Sequence, residues 1–372
     1  MTGREAEHHH KNPGTDYVFL GAVLAMLGTG LIMVFSASGV MAERVWGDTT
    51  FFFKKQLVFS CLGLGVMIWA WRAPLGLFTK TVYLWLLAAF GLLVLTFTPM
   101  GLSAGGARRW LDLGPVSFQP LELAKVALVL YLGYFFSRKQ DKLRTFSVGF
   151  VPPVMVTAAL ALCLLLQPDF GGAVFLTAIF FLLCVVGGTR LIYLVLSLGL
   201  SLAAGAWMII QSPYRIQRWL AFLHPFQDAQ NTGYQVVQSL YGLGAGQIFG
   251  QGLGAGKQKL FFLPEAHTDF ILAVLGEELG FLGMSFVFLC VGVIMVKGFA
   301  IAFRQQDLQF RFTALGLVLI LVMGALMNMA VVMGAVPPKG LPMPFISYGG
   351  SNLVITCLCV GILLNISKRG RA

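Results

Sequence analysis

The sequence predicts an all-α polytopic membrane protein. It is expected to have ten transmembrane helices, both termini in the cytoplasm, and a large extracytoplasmic loop between helices 7 and 8. Three observations carry this expectation. First, of 372 residues 58% are hydrophobic and only 11% charged, and the mean hydropathy is +0.82. A water-soluble domain of this length cannot hide so much apolar surface. Second, ten apolar segments approach the roughly 17–25 residues that cross a hydrocarbon core. They lie at 16–38, 52–71, 80–98, 119–137, 147–166, 171–188, 190–210, 269–300, 312–334 and 350–367. Third, Lys and Arg crowd both tails and the short alternate connections (72–80, 138–144, 297–311), whereas the longer connections hold fewer. That asymmetry places the basic loops in the cytoplasm.

The elements follow in order. Residues 1–15 form a polar cytoplasmic tail, 16–367 a single transmembrane domain, and 368–372 a second short tail. The opening "MTGREAEHHHKNPGTD" is too long and polar for a cleavable signal, so the first apolar run is expected to stay as an anchor. His8, His9 and His10 read as part of a solvated tail rather than a metal site. The six cysteines all sit in apolar runs without a ligand pattern, as small buried hydrophobes do. The net charge of +11 marks cytoplasmic loops in such a protein, not a nucleic-acid partner. Segment 119–137 is the least regular, because it carries Glu122 and Lys125; the eighth is long enough to extend beyond the membrane. The sequence has no internal repeat and no soluble domain.

With this orientation the unusual motifs fall outside, in 99–118, 167–170, 211–268 and 335–349. In "ARRWLDLGPVSFQPLELAK" (107–125), Arg108 and Arg109 suit either an interfacial anchor beside Trp110 or an anion site, since guanidinium forks match phosphate oxygens. Glu122 and Lys125 share a helix face and fit a structural pair or a functional site. In "LLQPDFGG", Asp169 is either a helix cap or a polar group in an outward cavity. "YGLGAGQIFGQGLGAGKQK" fails as a phosphate loop: Gln251 stands where the first glycine belongs, and Gln258 follows Lys257. A flexible, partly amphipathic loop at the membrane surface is expected there. "PPKGLPMPFISYGGSN" (337–352) cannot be a continuous helix; it is a plain outer loop, or a re-entrant segment presenting Lys339, Ser347 and Tyr348.

"FLPEAHTDFILAVLGEELG" (262–280) opens an apolar helix with Asp269. On a straight helix Gly276 and Gly280 return to within ~20° of Asp269, giving a small face for close approach. Glu277 lies ~12 Å deeper and ~80° away, the better companion of Asp269; Glu278 points opposite and is expected to pair elsewhere. From its residues alone, Asp269 suits a helix-start carboxylate, a proton- or ion-coupling group, or a general base.

The motifs "GGARRWLDLG", "FQPLELAK", "QPDFGG", "LPEAHTDFILAVLGEELG" and "KGLPMPFISYGGSN" resemble the SEDS family (shape, elongation, division and sporulation), in the family's order and along nearly the whole chain. "LPEAHTDF" and Lys339-Gly340 lean towards its FtsW rather than its RodA branch. One departure is Leu121, where the family's "PSE" has a serine. The resemblance implies ten transmembrane helices and a peptidoglycan glycosyltransferase that polymerises lipid II on the outer face of the bacterial cytoplasmic membrane. It implies a class B penicillin-binding protein as partner, with other divisome or elongasome proteins. Asp269 matches the essential aspartate, and Arg109, Lys125, Asp169 and Glu277 match polar positions of the outward cavity. Arg108, Arg215, Arg218, Lys339 and Ser347 complete the substrate-binding candidates. No resident cofactor is implied, although a divalent cation (Mg or Mn) suits a diphosphate leaving group. An elongation polymerase, a lipid II flippase and a pure scaffold are the rival readings.

Overall fold

The computed structural model describes residues 15–104, 106–114, 116–231 and 233–369, with the side chains of Ala104, Tyr214 and Arg215 outside that description. His8–His10 and the end of the C-terminal tail lie outside the described residues.

The chain is a helical bundle: α1 (Tyr17–Trp46), α2 (Phe51–Arg72), a single turn α3 (Gly76–Thr79), α4 (Val82–Leu95), α5 (Pro120–Arg138), α6 (Val151–Leu166), α7 (Phe170–Gly187), α8 (Leu191–Ile210), α9 (Pro213–Leu223), α10 (Tyr234–Gly246), α11 (Ile271–Phe303), α12 (Leu308–Val332) and α13 (Gly350–Ser367). Nine helices among the described residues are long and apolar enough to cross a membrane. Each of the ten apolar segments coincides with a helix, but the third holds only the 14 residues of α4, short of the ~20 that span hydrocarbon. Local chemistry sets the ends. Asp16 caps α1 by accepting from the Phe19 N–H, Pro120 opens α5, and Asp307 caps α12.

Burial divides the helices. α5 and α13 form the centre, whereas on α8 only Leu194 is buried. Hydrocarbon gives helices no hydrophobic reason to associate, so polar side chains and close packing hold them. Asn365 of α13 donates to the carbonyls of Ala70 (2.8 Å) and Ala73 (2.6 Å) at the end of α2. Gln305 joins α11 to α13 through the Ile366 carbonyl, 3.2 Å away.

Three features depart from the sequence expectation, and at a fourth the structure takes one of two expected alternatives. The fold is not purely α-helical, for the 99–118 connection is a small antiparallel sheet. β1 (Gly101–Ala104), β2 (Ala107–Asp112) and β3 (Ser117–Phe118) lie in that order. The 211–268 segment is not one surface loop, since it contains α9 and α10. α9 carries exposed Trp219, Leu220 and Leu223. α10 buries Val236, Val237, Ser239, Gly242 and Gly246 and packs along the start of α11. The 333–349 segment is irregular yet enters the bundle. Its Pro344 and Phe345 share a small enclosed cavity with Met26 of α1, Val291 of α11 and Leu321 of α12. Backbone of this kind persists in a membrane protein only where protein surrounds it, so the re-entrant alternative describes it.

The third departure is α11, which is not straight. A Cβ at Gly276 would stand 3.5 Å from Cγ of Met284, and one at Gly283 3.3 Å from Cδ2 of Leu275. Residues eight apart on a straight helix are separated by about 12 Å. The helix therefore bends back sharply at Gly280 (φ 65°, ψ −159°), bringing residues 275–276 against 283–284. The turn connecting α10 to the 258–262 segment fills the break. Gln247 and Ile248 carbonyls accept from the Phe281 and Leu282 N–H groups, at 2.8 and 3.2 Å. Glu277 and Glu278 carbonyls accept from the Gln251 and Gly252 N–H groups, both at 3.0 Å. The small face formed by Gly276 and Gly280 thus receives α10 and its turn.

Gly280 holds a backbone conformation open essentially to glycine alone, and a Cβ there would meet the Gly250 nitrogen at 2.3 Å. Gly280→Ala is expected to cost more than about 3 kcal/mol, read as a lowered thermal midpoint of the detergent-purified protein. Gly21→Ala, with nothing within 4 Å of the added carbon, is expected to stay within about 1 kcal/mol of the parent.

Candidate active site

The N-termini of α5, α7, α11 and α13 and the C-terminus of α12 meet at one end of the bundle, where the small sheet and the 333–349 segment also lie. Contacts fix this convergence. Ser351 at the start of α13 accepts from the Gln119 N–H and donates to the Ser117 carbonyl, each at 3.1 Å. Asn328 near the end of α12 reaches the Asp269 carbonyl at 2.8 Å.

Asp269 sits in the turn before α11, outside the spanning helices. The turn is closed by the Thr268 and Phe270 N–H groups, which donate to the Glu265 carbonyl at 3.1 and 3.2 Å. Glu265 takes a positive φ of 56° to make it. The Asp269 carboxyl lies against Gly340, where a Cβ would come within 3.0 Å of Oδ2. Burial foremost, then the negative charge of Glu265, pushes the Asp269 carboxyl up to about 7, while Arg109 and Arg218 act to lower it. A carboxylate poised there exchanges protons readily near neutral pH.

Two guanidinium groups, Arg109 and Arg218, act on it, and Lys339 is the chain neighbour of Gly340. Arg109 rises from β2 and places Nε 3.7 Å from Asp169 Oδ1. Its Nη2 donates to the Pro168 carbonyl at 3.3 Å, and its buried Nε finds no hydrogen-bond acceptor among the described residues. Arg218 of α9 donates from Nη1 to the Pro338 carbonyl at 3.4 Å. Lys339 lays its methylenes over Gly171. Burial first brings its ammonium down to about 8, with Arg109 adding to that and Asp169 opposing it. Asp169 combines both roles open to it in the sequence. It caps α7 by accepting from the Gly172 N–H at 3.0 Å, and it faces Arg109.

Other expected site residues lie in different contacts. Lys125 is closed in a 2.7 Å pair with Glu122, which also accepts from Asn352 at 3.1 Å. Lys125 further lies 5.1 Å over the Phe175 ring. Glu277 does not become a deeper companion of Asp269, because α11 bends back. Its two oxygens accept from the Lys257 and Gln258 N–H groups at 2.8 and 3.0 Å, anchoring the returning chain. Glu278 pairs elsewhere, with Lys259 at 2.6 Å and with Ser36 of α1. Ser347 turns inward, donating to the Thr268 carbonyl at 2.5 Å and accepting from the Met343 N–H at 2.8 Å. Arg108 is exposed on β2, and the Arg215 side chain lies outside the described residues.

Two contributors escaped the sequence reading as site residues. Glu265 adds charge to the Asp269 turn, and His267 stacks between Phe52 (4.8 Å) and Tyr348 (5.8 Å). Both flank Asp269 in "PEAHTD", so proximity in the motif was their signal. Among the described residues no three His, Cys, Asp or Glu side chains come together as a metal site.

A many-spanning membrane protein with a half-buried carboxylate under the influence of two guanidinium groups at one end of its bundle defines a class: a membrane protein with a polar site suited to an anionic group. Within that class the family is specific. Residues 17–372 match the FtsW/RodA/SpoVE model, described as cell cycle protein, and the chain belongs to this family. It is 43% identical over 353 residues to a probable peptidoglycan glycosyltransferase FtsW of Trichlorobacter lovleyi, covering 95% of this chain and 93% of that one. It is 37% identical to the stage V sporulation protein E of Bacillus subtilis, covering 97% and 99%. Among solved structures, a chain of a peptidoglycan synthase complex that coordinates polymerization and crosslinking superposes with TM-score 0.79 at 27% identity, covering 95% and 98%. Thermus thermophilus RodA superposes with TM-score 0.68 at 26% identity, covering 96% and 97%.

The balance of charges on Asp269 gives a spectroscopic expectation. Its carboxylic-acid stretch, identified by its loss in Asp269→Asn, should titrate near neutral pH in infrared difference spectra. Glu265→Gln should move the midpoint down and Arg218→Gln should move it up; an unmoved midpoint in both would contradict the arrangement.

Proposed function

We propose that this chain is a peptidoglycan glycosyltransferase that polymerises lipid II into β-1,4-linked strands for septal wall synthesis, with Asp269 as its general base. The observation that carries the reading is the placement of Asp269: half-buried, against a residue without a side chain, within the field of Arg109 and Arg218. In the reaction, the acceptor sugar 4-hydroxyl gives its proton to Asp269. Its oxygen attacks the donor anomeric carbon, and the bond to the α-linked diphosphate breaks with inversion. The electron pair leaves on the diphosphate, whose charge Arg109, Lys339 and Arg218 are placed to meet. The substrate carries its own activation, so no nucleotide is required. A Mg or Mn ion would enter only as the diphosphate's counter-ion.

Ten spans with both termini in the cytoplasm complete the reading. Arg72, Lys80, Arg138, Lys142, Arg304 and Lys368 lie at or just beyond helix ends opposite the Asp269 cluster, which supports an outward-facing site in the bacterial inner membrane. The likeness to a chain of a synthase complex supports a class B penicillin-binding protein as partner. A flippase would need mobile intramembrane charge, but Lys125 is paired with Glu122 and Lys259 with Glu278. That favours the polymerase.

Purified protein given labelled lipid II should form polymer. Asp269→Asn should lower the rate ~10²–10⁴-fold while inserting and folding normally. Polymerisation that survives this change, with lipid translocation lost instead, would make the chain a flippase. A fluorescent copy should gather at midcell; an even sidewall distribution would assign it to elongation.

A further inference from the structure

Three consecutive carbonyls of the Asp269 turn are taken up by neighbouring elements. The His267 carbonyl accepts from the Tyr348 N–H at 3.0 Å, and the Thr268 carbonyl from Ser347 Oγ at 2.5 Å. The third is Asp269's own. Asn328, a lone amide in the apolar run of α12, donates from Nδ2 to that carbonyl at 2.8 Å and to the Leu341 carbonyl at 2.7 Å. Asn328 is 1% exposed, and its Oδ1 has no hydrogen-bond partner among the described residues. Leu341 directly follows Gly340, the residue against which the Asp269 carboxyl lies.

A buried amide that spends both protons on two carbonyls and leaves its oxygen unmatched is placed for its donors. No other side chain makes a described bond to both the Asp269 turn and residues 339–341. We propose that Asn328 is the positioning residue of this site, a clamp that fixes the Asp269 turn and the Lys339–Leu341 segment at one mutual distance. This rests on the assignment of Asp269 as general base. The clamp has two effects. It holds the carboxylate in register with the cations beyond Gly340, so a shift of about 1 Å would cost on the order of 10²-fold in rate. It also keeps the turn packed, which maintains the burial that raises the Asp269 carboxyl. The charged groups acting on that carboxyl are Glu265 from its own turn, Arg109 from β2 and Arg218 from α9; Asn328 brings no charge of its own.

Asn328→Leu keeps the volume and removes both donors. Lipid II polymerisation by the full-length variant is expected to show kcat reduced about 10²-fold with KM changed less than about threefold. The acidic limb of its pH–rate profile should move to lower pH, because a loosened turn admits water to Asp269. A merely structural Asn328 would lower the yield or thermal midpoint and leave the limb where it is. Asn328→Ser, smaller and with one short donor, should move both readouts the same way and decides the matter if the leucine variant does not insert. Unchanged kcat and limb in a folded variant overturn the clamp. Asp269→Asn separates the two layers. If that variant polymerises normally the base assignment fails, whereas if it is inactive and Asn328→Leu is unaffected, only the clamp fails.

Discussion

Backbone that leaves the helix inside a bundle must find every hydrogen-bond partner within the protein, and this requirement organises the whole site. Two irregular segments, 247–270 and 333–349, penetrate the helices. Each survives because the other elements complete it. The broken arm of α11 exchanges bonds with the turn after α10. The Asp269 turn gives its carbonyls to Ser347, Asn328 and the Tyr348 N–H. A helix could have supplied these bonds locally, but it could not have brought a carboxylate, a glycine and three cations together from four parts of the chain.

The electrostatics follow from that convergence. Asp269 feels burial and Glu265 in one direction and two arginines in the other, so the net result lies near neutrality rather than at either extreme. Lys339 is balanced in the same manner by burial and Arg109 against Asp169. The other buried charges, Lys125 with Glu122 and Lys259 with Glu278, are paired at close range. Removing one partner of such a pair leaves an uncompensated buried charge; the first pair lies within α5 and is tied to α13 by Asn352, and the second is tied to α1 by Ser36. The open, imperfectly matched charges are those at the mouth. Arg109 Nε, at 3.7 Å from Asp169, is the plainest case of a donor held back from its neighbour.

The sequence made some of this legible and hid the rest for physical reasons. Hydropathy located α2 and α13 almost to the residue, because segment length in an apolar run is a local property. It missed α10, whose glycines read as loop although they permit close packing on α11. It missed the reversal at Gly280, which depends on one residue's dihedrals and on partners some thirty positions earlier. The same reversal upset the placement of Glu277, since rise and rotation along a straight helix no longer apply. Asp269 stood out through motif identity, and spacing alone left capping and coupling open. Arg109, Asp169, Arg218 and Lys339 could be listed by residue type, but only the tertiary fold separates them from Lys125 and Ser347. Asn328 gave one cue, an isolated amide in an apolar helix, and that cue carries no address for its partner.

The fold-back of α11 also bears on how the protein comes to be built. The 271–303 segment is longer than a bilayer is thick, and Glu277 and Glu278 interrupt its apolar run just before the break at Gly280. What fixes the reversal is the turn at 247–252, which is synthesised first and lies close in sequence. Contacts of such short separation close quickly. The emerging segment therefore meets a finished template for its break, while the Asp269 turn is completed only when Asn328 of α12 and the 333–349 segment arrive.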